Sequence, residues 1–283
     1  MGQEARRIFH LHLVSDSTGE TLQSISKAAL VQFEGVDVRT HTWPLVRSPS
    51  QMERIFEDIR EQPGLVMFTL VNDDIRKALV EACVKWRLPH LSVLDPVIGT
   101  LARYLGTQAH GVPGRQHAMD AQYHHRIDAL HFTVAHDDGQ HPETLANAEI
   151  IIVGVSRTSK TPTSIYLANK GYRTANIPFV PTCPLPAELD GLTDHFIVGL
   201  TVNPERLVHI RTNRLRALNE GHHTEYVDME SVKNEIALCR RLCHERGWPV
   251  IDVTRRSIEE TAVAIINRYY GWQEERAAHV AGG

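Results

Sequence analysis

The residues best suited to chemistry lie in one run, EIIIVGVSRTSKTP, from Glu149 through Gly154 to Pro162. An apolar strand ends at Gly154, a short polar loop follows, and Lys160 and Thr161 open a helix. This is the strand–loop–helix setting of a P-loop, in which successive backbone N–H groups cradle phosphate oxygens and the helix N-terminus adds positive potential. The loop residues Gly154, Val155, Ser156, Arg157, Thr158, Ser159, Lys160 and Thr161 are therefore the expected nucleotide-binding set. Lys160 is expected to reach the terminal phosphates as a catalytic residue, and the Thr161 hydroxyl to help hold Mg²⁺. Pro162 is harmless inside the first turn, where its missing N–H has no helical partner. One position departs from the general pattern: Ser159 stands where Gly usually precedes the Lys, and Ser disfavours a left-handed backbone.

Two carboxylates are candidates for the acid–base step. Asp137 and Asp138, in HFTVAHDDG (131–139), are expected to end a strand just upstream of the loop strand. One could orient Mg²⁺ and the other accept a proton from a substrate hydroxyl; a simple Asp-Gly turn is the alternative. Asp252, ending PVID, is the nearest Walker-B candidate and equally a strand-end cap. No guanine-reading Asn-Lys-x-Asp segment is present.

These groups need a scaffold, and the pattern around them alternates strand and helix. Strands are predicted over 8–14, 36–43, 65–71 and 89–94, with helices over 20–33, 49–60, 73–86 and 96–105. Asp73 or Asp74 can cap the third helix. The polar Ser15–Gly19 loop could hold an anion, although a capped turn is the simpler reading. A glycine-rich connection over 107–114 leads to a predicted helix over 116–130. The alternation restarts with strands at 149–155, 195–201 and 249–253, an extended stretch at 172–180, and helices over 162–170, 204–219, 228–246 and 257–270. Gly171 fits the left-handed position after a helix, and the tail after Trp272 is expected to fray. The fold class is α/β: an N-terminal parallel-sheet domain (1–142) followed by a P-loop-containing, kinase-like α/β domain (143–283).

Composition sets limits. With 283 residues, 30 Lys+Arg against 34 Asp+Glu and a formal charge of −4, the chain has no broad nucleic-acid footprint. No apolar run approaches a membrane span, and the N-terminal segment lacks signal-peptide character. Cys83, Cys183, Cys239 and Cys243 form no Cys-x-x-Cys pair; Cys239 and Cys243 share a helix face, and free thiols in a reducing cytoplasm are expected. His10 and His12 share a strand face, while His124-His125 and His222-His223 are adjacent pairs, none with convincing metal spacing. Arg206, Arg211, Arg214 and Arg216 make one helix basic, most simply as a solvated face.

VSDSTGET, AHDDG, IIVGVSRTSKTPTSIYLANKGYRTANIPFVP and GLTVNPERL together resemble the bacterial pyruvate, phosphate dikinase regulatory proteins. The related phosphoenolpyruvate synthetase regulatory proteins share that architecture, and the resemblance runs from about Ile8 to Tyr270. In that family Ser or Gly precedes the loop Lys. SRTSKT and DPVIGTL look closer to the dikinase group. The resemblance implies a bifunctional enzyme. Its members use ADP to phosphorylate a threonine beside the catalytic histidine of the dikinase, inactivating it. They also use inorganic phosphate to remove that group, releasing pyrophosphate. Implied partners are pyruvate, phosphate dikinase or phosphoenolpyruvate synthetase, with no nucleic acid and no membrane, and with room for a homo-oligomer. The residues themselves leave open a P-loop small-molecule kinase, although the proline-rich 180–186 segment does not look like the arginine-bearing lid such a kinase usually carries, and a nucleotide-sensing module.

Overall fold

The computed structural model describes residues 8–108, 121–217 and 225–282. The chain divides into two compact units, Met1–Ala118 and Met119–Gly283.

In the first unit β1 (Ile8–Ser15), α1 (Glu20–Leu30), β2 (Asp37–Trp43), α2 (Pro49–Glu61), β3 (Leu65–Thr69), α3 (Asp73–Lys85), β4 (His90–Ser92) and α4 (Asp95–Leu105) alternate as expected. All strands are parallel, in the order β2-β1-β3-β4. The period of two along β1 sends Leu11 and Leu13 to one face, against Leu22 of α1. Val14 points to the other face, against Met52, Ile55 and Ile59 of α2 and Leu79 and Cys83 of α3. Ser48 and Gln51 form a capping box at α2. The cap of α3 is Asn72, whose side chain accepts from the N–H groups of Asp74 and Ile75, and not Asp73 or Asp74. The Ser15–Gly19 loop has no side-chain cap on α1; instead the Asp16 carboxylate accepts from Val71 N at 2.6 Å and Asn72 N at 3.3 Å.

His10 and His12 do share a face, and both stack on His41 of the neighbouring strand. His12 donates from Nε2 to the Gln62 carbonyl at 2.8 Å and accepts at Nδ1 from Trp43 Nε1 at 3.4 Å, so its neutral form is fully used. Burial, followed by the neighbouring His41 and His10, holds its pKa below the ordinary value against the pull of the Gln62 carbonyl and Asp58. Among the described residues no group of three His, Cys, Asp or Glu could hold a metal ion.

The second unit contains α5 (Ala121–Ala135), β5 (Ile150–Gly154), α6 (Lys160–Asn169), β6 (Thr174–Pro178), β7 (Phe196–Thr201), α7 (Pro204–Ala217), α8 (Met229–Glu245), β8 (Val250–Asp252) and α9 (Ile258–Gly282). Its sheet is again parallel, in the order β6-β5-β7-β8. Every residue of β5 is buried, as a central strand covered on both faces must be. Asp228 caps α8 through Ser231 N, and Gly171 follows α6 at φ 98°.

The structure departs from the sequence reading at three points here. Residues 131–135 are helical, not a strand. Ala129, Phe132, Thr133 and His136 fall at i, i+3, i+4 and i+7 and form the inward stripe of α5 and the turn after it. The β-branched and aromatic composition of HFTV had suggested otherwise. Because α5 packs on α6 and β6, the unit boundary falls at 118/119, where the sequence reading places it at 142/143. The tail does not fray at Trp272. α9 continues, with Trp272 against Phe196 and Tyr269, and Arg276 bound to Asp194 at 2.9 Å. The glycine-rich connection (apart from 107–108), the start of the helix predicted from 116, and His222-His223 lie outside the described residues.

Three of the four free cysteines are buried, Cys83, Cys239 and Cys243. Among the described residues no helix is long and apolar enough to cross a membrane.

Candidate functional site

The chain leaves β5 for β6 on one side and later places β7 on the other, so the switch point of the sheet lies at the carboxyl end of β5. The loop Val155–Ser159 occupies that position. Gly154 is required there, since a Cβ would stand 2.8 Å from the Leu200 carbonyl oxygen and 3.0 Å from Thr158 Oγ1. Arg157 (φ 73°) and Ser159 (φ 61°) are both left-handed. Ser159 thus adopts the left-handed backbone that Gly would take without strain. No side chain caps α6, which leaves its N-terminus available to an anion.

Inside the loop, the Val155 carbonyl accepts from Thr158 Oγ1 at 2.9 Å and from Lys160 Nζ at 3.1 Å. Lys160 is only 7% exposed. Burial lowers its pKa to about 8, against the opposing pull of Asp138, Cys239, Asp137 and Glu235.

Asp137 and Asp138 sit in a 3₁₀ turn after α5, not at a strand end, yet they do reach the loop. Asp137 Oδ1 accepts from Thr161 Oγ1 at 2.9 Å and from the Asn176 amide. Asp138 is left-handed (φ 57°) and its N–H donates to Asn176 Oδ1 at 3.2 Å. Among the described residues nothing bonds its exposed carboxylate. The two acids therefore differ: one is fastened to the hydroxyl that opens α6, and the other carries no side-chain hydrogen bond among the described residues. Asp252 is a strand-end cap that accepts from Thr254 N at 2.8 Å and from the Thr254 hydroxyl. Burial raises its pKa, but Thr254, Arg240 and Arg256 outweigh that and hold it below the ordinary value.

The solvated-face reading of α7 is wrong at Arg211, which is 1% exposed. Its guanidinium meets both carboxylate oxygens of Glu235, at 2.7 and 3.0 Å, and also donates to the Ser156 and Tyr226 carbonyls, each at 3.1 Å. Leu207, Arg211 and Leu215 recur every four residues, a stripe that could have flagged the arginine as inward. Asn176 also escaped notice. A lone amide in the buried run TANIP needs partners, and the acidic turn supplies them.

The hydroxyl of Thr161 and the carboxylate of Asp137 are hard oxygen donors side by side, a set that suits Mg²⁺, which takes one or two carboxylates and completes its shell with phosphate and water. The lysine, the left-handed loop and the uncapped helix suit a phosphate chain.

The kinase/pyrophosphorylase family pattern matches residues 11–266. A protein of Rhizorhabdus wittichii is 57% identical over 258 residues, covering 91% of this chain and 94% of its own length. One from Novosphingobium aromaticivorans is 54% identical over 274 residues, covering 97% and 96%. Both are provisionally named pyruvate, phosphate dikinase regulatory proteins. Among solved structures, a protein of Bacteroides fragilis described as a LacI-type transcriptional regulator aligns over 76% of this chain and 75% of its own, at 11% identity and a TM-score of 0.25, too low to carry an argument. A family pattern that spans both sheets and runs through the loop, the acidic turn and their supports places the chain in the kinase/pyrophosphorylase family.

Proposed function

We propose that this chain regulates pyruvate, phosphate dikinase in the cytoplasm through two opposed reactions at the Gly154–Thr161 loop. In one, ADP phosphorylates a threonine of the dikinase; in the other, inorganic phosphate removes that group as pyrophosphate. The reading rests on one observation above all: Lys160, Thr161, Asp137 and Asp138 converge on a left-handed loop at the switch point of the sheet. Choice of the dikinase over the synthetase follows the names of the relatives.

In the forward direction the loop holds the phosphates of ADP, with the Lys160 ammonium compensating the charge that builds up as the β-phosphoryl group leaves AMP. Asp138 takes the proton from the attacking threonine hydroxyl. In the reverse direction, inorganic phosphate sits in the same cradle and its oxygen attacks the phosphothreonine phosphorus. The bond to the threonine oxygen breaks, and Asp138 relays to that oxygen the proton that the attacking hydrogen phosphate gives up. Thr161 and Asp137 would hold Mg²⁺, which would supply further neutralisation of phosphate charge. Asn176 holds the turn from which both acids project.

The test is to incubate the purified protein with dikinase and ADP labelled at the β-phosphate, or ATP labelled at the γ-phosphate, and to locate the label. Threonine label from ADP alone is expected, with Lys160→Ala losing nucleotide binding and both reactions. Transfer from ATP only, or undiminished binding by Lys160→Ala in a calorimeter, would overturn the reading.

A further inference from the structure

We infer that Arg211 is a positioning residue that sets the shape of the phosphate loop from outside it, an inference that rests on the loop being the phosphate cradle. A loop that turns its N–H groups towards a ligand turns carbonyls away, and those need donors of their own. The Val155 carbonyl is served from within by Thr158 and Lys160. The Ser156 carbonyl is served from without, by Arg211 Nη2.

The arginine is held at three further points. Glu235 grips both terminal nitrogens, the Tyr226 carbonyl accepts from Nη1, and the Tyr226 ring lies 4.4 Å from the guanidinium carbon. The Tyr226 hydroxyl returns to the loop, 3.4 Å from both Ser156 Oγ and Arg157 Nε. Arg157 and Ser159 are strained in the left-handed region, and strain of that type persists only where surrounding structure over-determines it. The Arg211–Glu235 fork and Tyr226 are the surroundings that reach Ser156 and Arg157.

Stability does not account for the pair. The side chains are 2% and 15% exposed, and a buried ion pair can commonly be replaced by apolar residues of similar volume without loss of stability. What apolar replacements cannot do is donate to the Ser156 carbonyl. The double variant Arg211→Met/Glu235→Leu separates the two roles. Expected are a thermal midpoint close to wild type and affinities for ADP and for inorganic phosphate each weakened at least about tenfold, as when a supporting contact of a site is removed. Arg211→Lys keeps the charge opposite Glu235, but one ammonium cannot span Glu235, Tyr226 and Ser156 together, so it should fold and lose comparable affinity. In both variants the KM for ADP should rise while the KM for the dikinase stays level.

Wild-type affinity for both anions in either folded variant overturns the inference. If Lys160→Ala also binds both anions normally, the cradle reading has failed and this inference falls with it. If Lys160→Ala loses them while the Arg211 variants do not, only the role of Arg211 is refuted.

Discussion

At the residue scale the two adjacent acids carry different tasks. Asp137 is spent on Thr161 and Asn176, whereas the Asp138 carboxylate is exposed and unbonded among the described residues. Asp138→Asn should therefore slow phosphorylation and phosphorolysis by at least about 10²-fold, the usual lower bound for lost acid–base catalysis, with nucleotide affinity little changed. Asp137→Asn should raise the Mg²⁺ concentration needed for half-maximal rate. Steady-state rates in both directions across a Mg²⁺ titration check the pair, and near-normal behaviour of both variants would move the acid–base group elsewhere. Ser159 offers a second test. A left-handed L-residue costs about 1–2 kcal/mol, and Gly gives back part of that in chain entropy, about 0.5–1 kcal/mol. Ser159→Gly should then keep both activities and shift stability by no more than about 1.5 kcal/mol, read by thermal unfolding. Loss of activity in a folded protein would show that the serine hydroxyl has a task of its own.

Among the elements, those that carry strong periodicity or a clear break were readable from sequence. The run IIIVG has no polar residue because both its faces are covered, and the polar loop after it stands where the sheet switches direction. The acidic turn was found as residues but attached to the wrong element. HFTV favours a strand locally, and tertiary packing of the 129, 132, 133 and 136 stripe overrode that preference. Arg211 was misread because charge suggests solvent, while its partners, Glu235 and the Ser156 and Tyr226 carbonyls, are remote in sequence. The length of α9 had the same cause: Arg276 is held by Asp194, on the far side of several elements. The contact between β5 and β7 yields a prediction. Gly154→Ala places a methyl group 2.8 Å from a backbone carbonyl that cannot swing away, so the strands must part. Overpacking of this kind typically costs about 1–3 kcal/mol, and both thermal stability and ADP affinity should fall. A variant with wild-type melting and affinity would show that the close approach is dispensable.

Across the whole molecule the two sheets follow one plan. The orders β2-β1-β3-β4 and β6-β5-β7-β8 are the same arrangement written twice, and each central strand runs into a left-handed residue, Gly19 or Ser159, just before a helix. No fixed-period repeat in the sequence announced this, because a strand order constrains where residues are buried more than which residues they are. Only the second unit has a lysine at the start of that helix, and its burial bears on the heat of binding. With a pKa of about 8, Lys160 is only partly protonated near that pH. A bound phosphate favours the charged form and raises that pKa, so binding must draw protons from the buffer. The uptake should approach about half a proton per site at pH 8, where the phosphate chain has already lost its own last proton (second pKa about 6). ADP titrations at pH 8 in buffers of high and low ionisation enthalpy should consequently release different heats for the same affinity. Identical heats at pH 8 would mean that the anion meets a lysine already fully charged, or does not meet it at all.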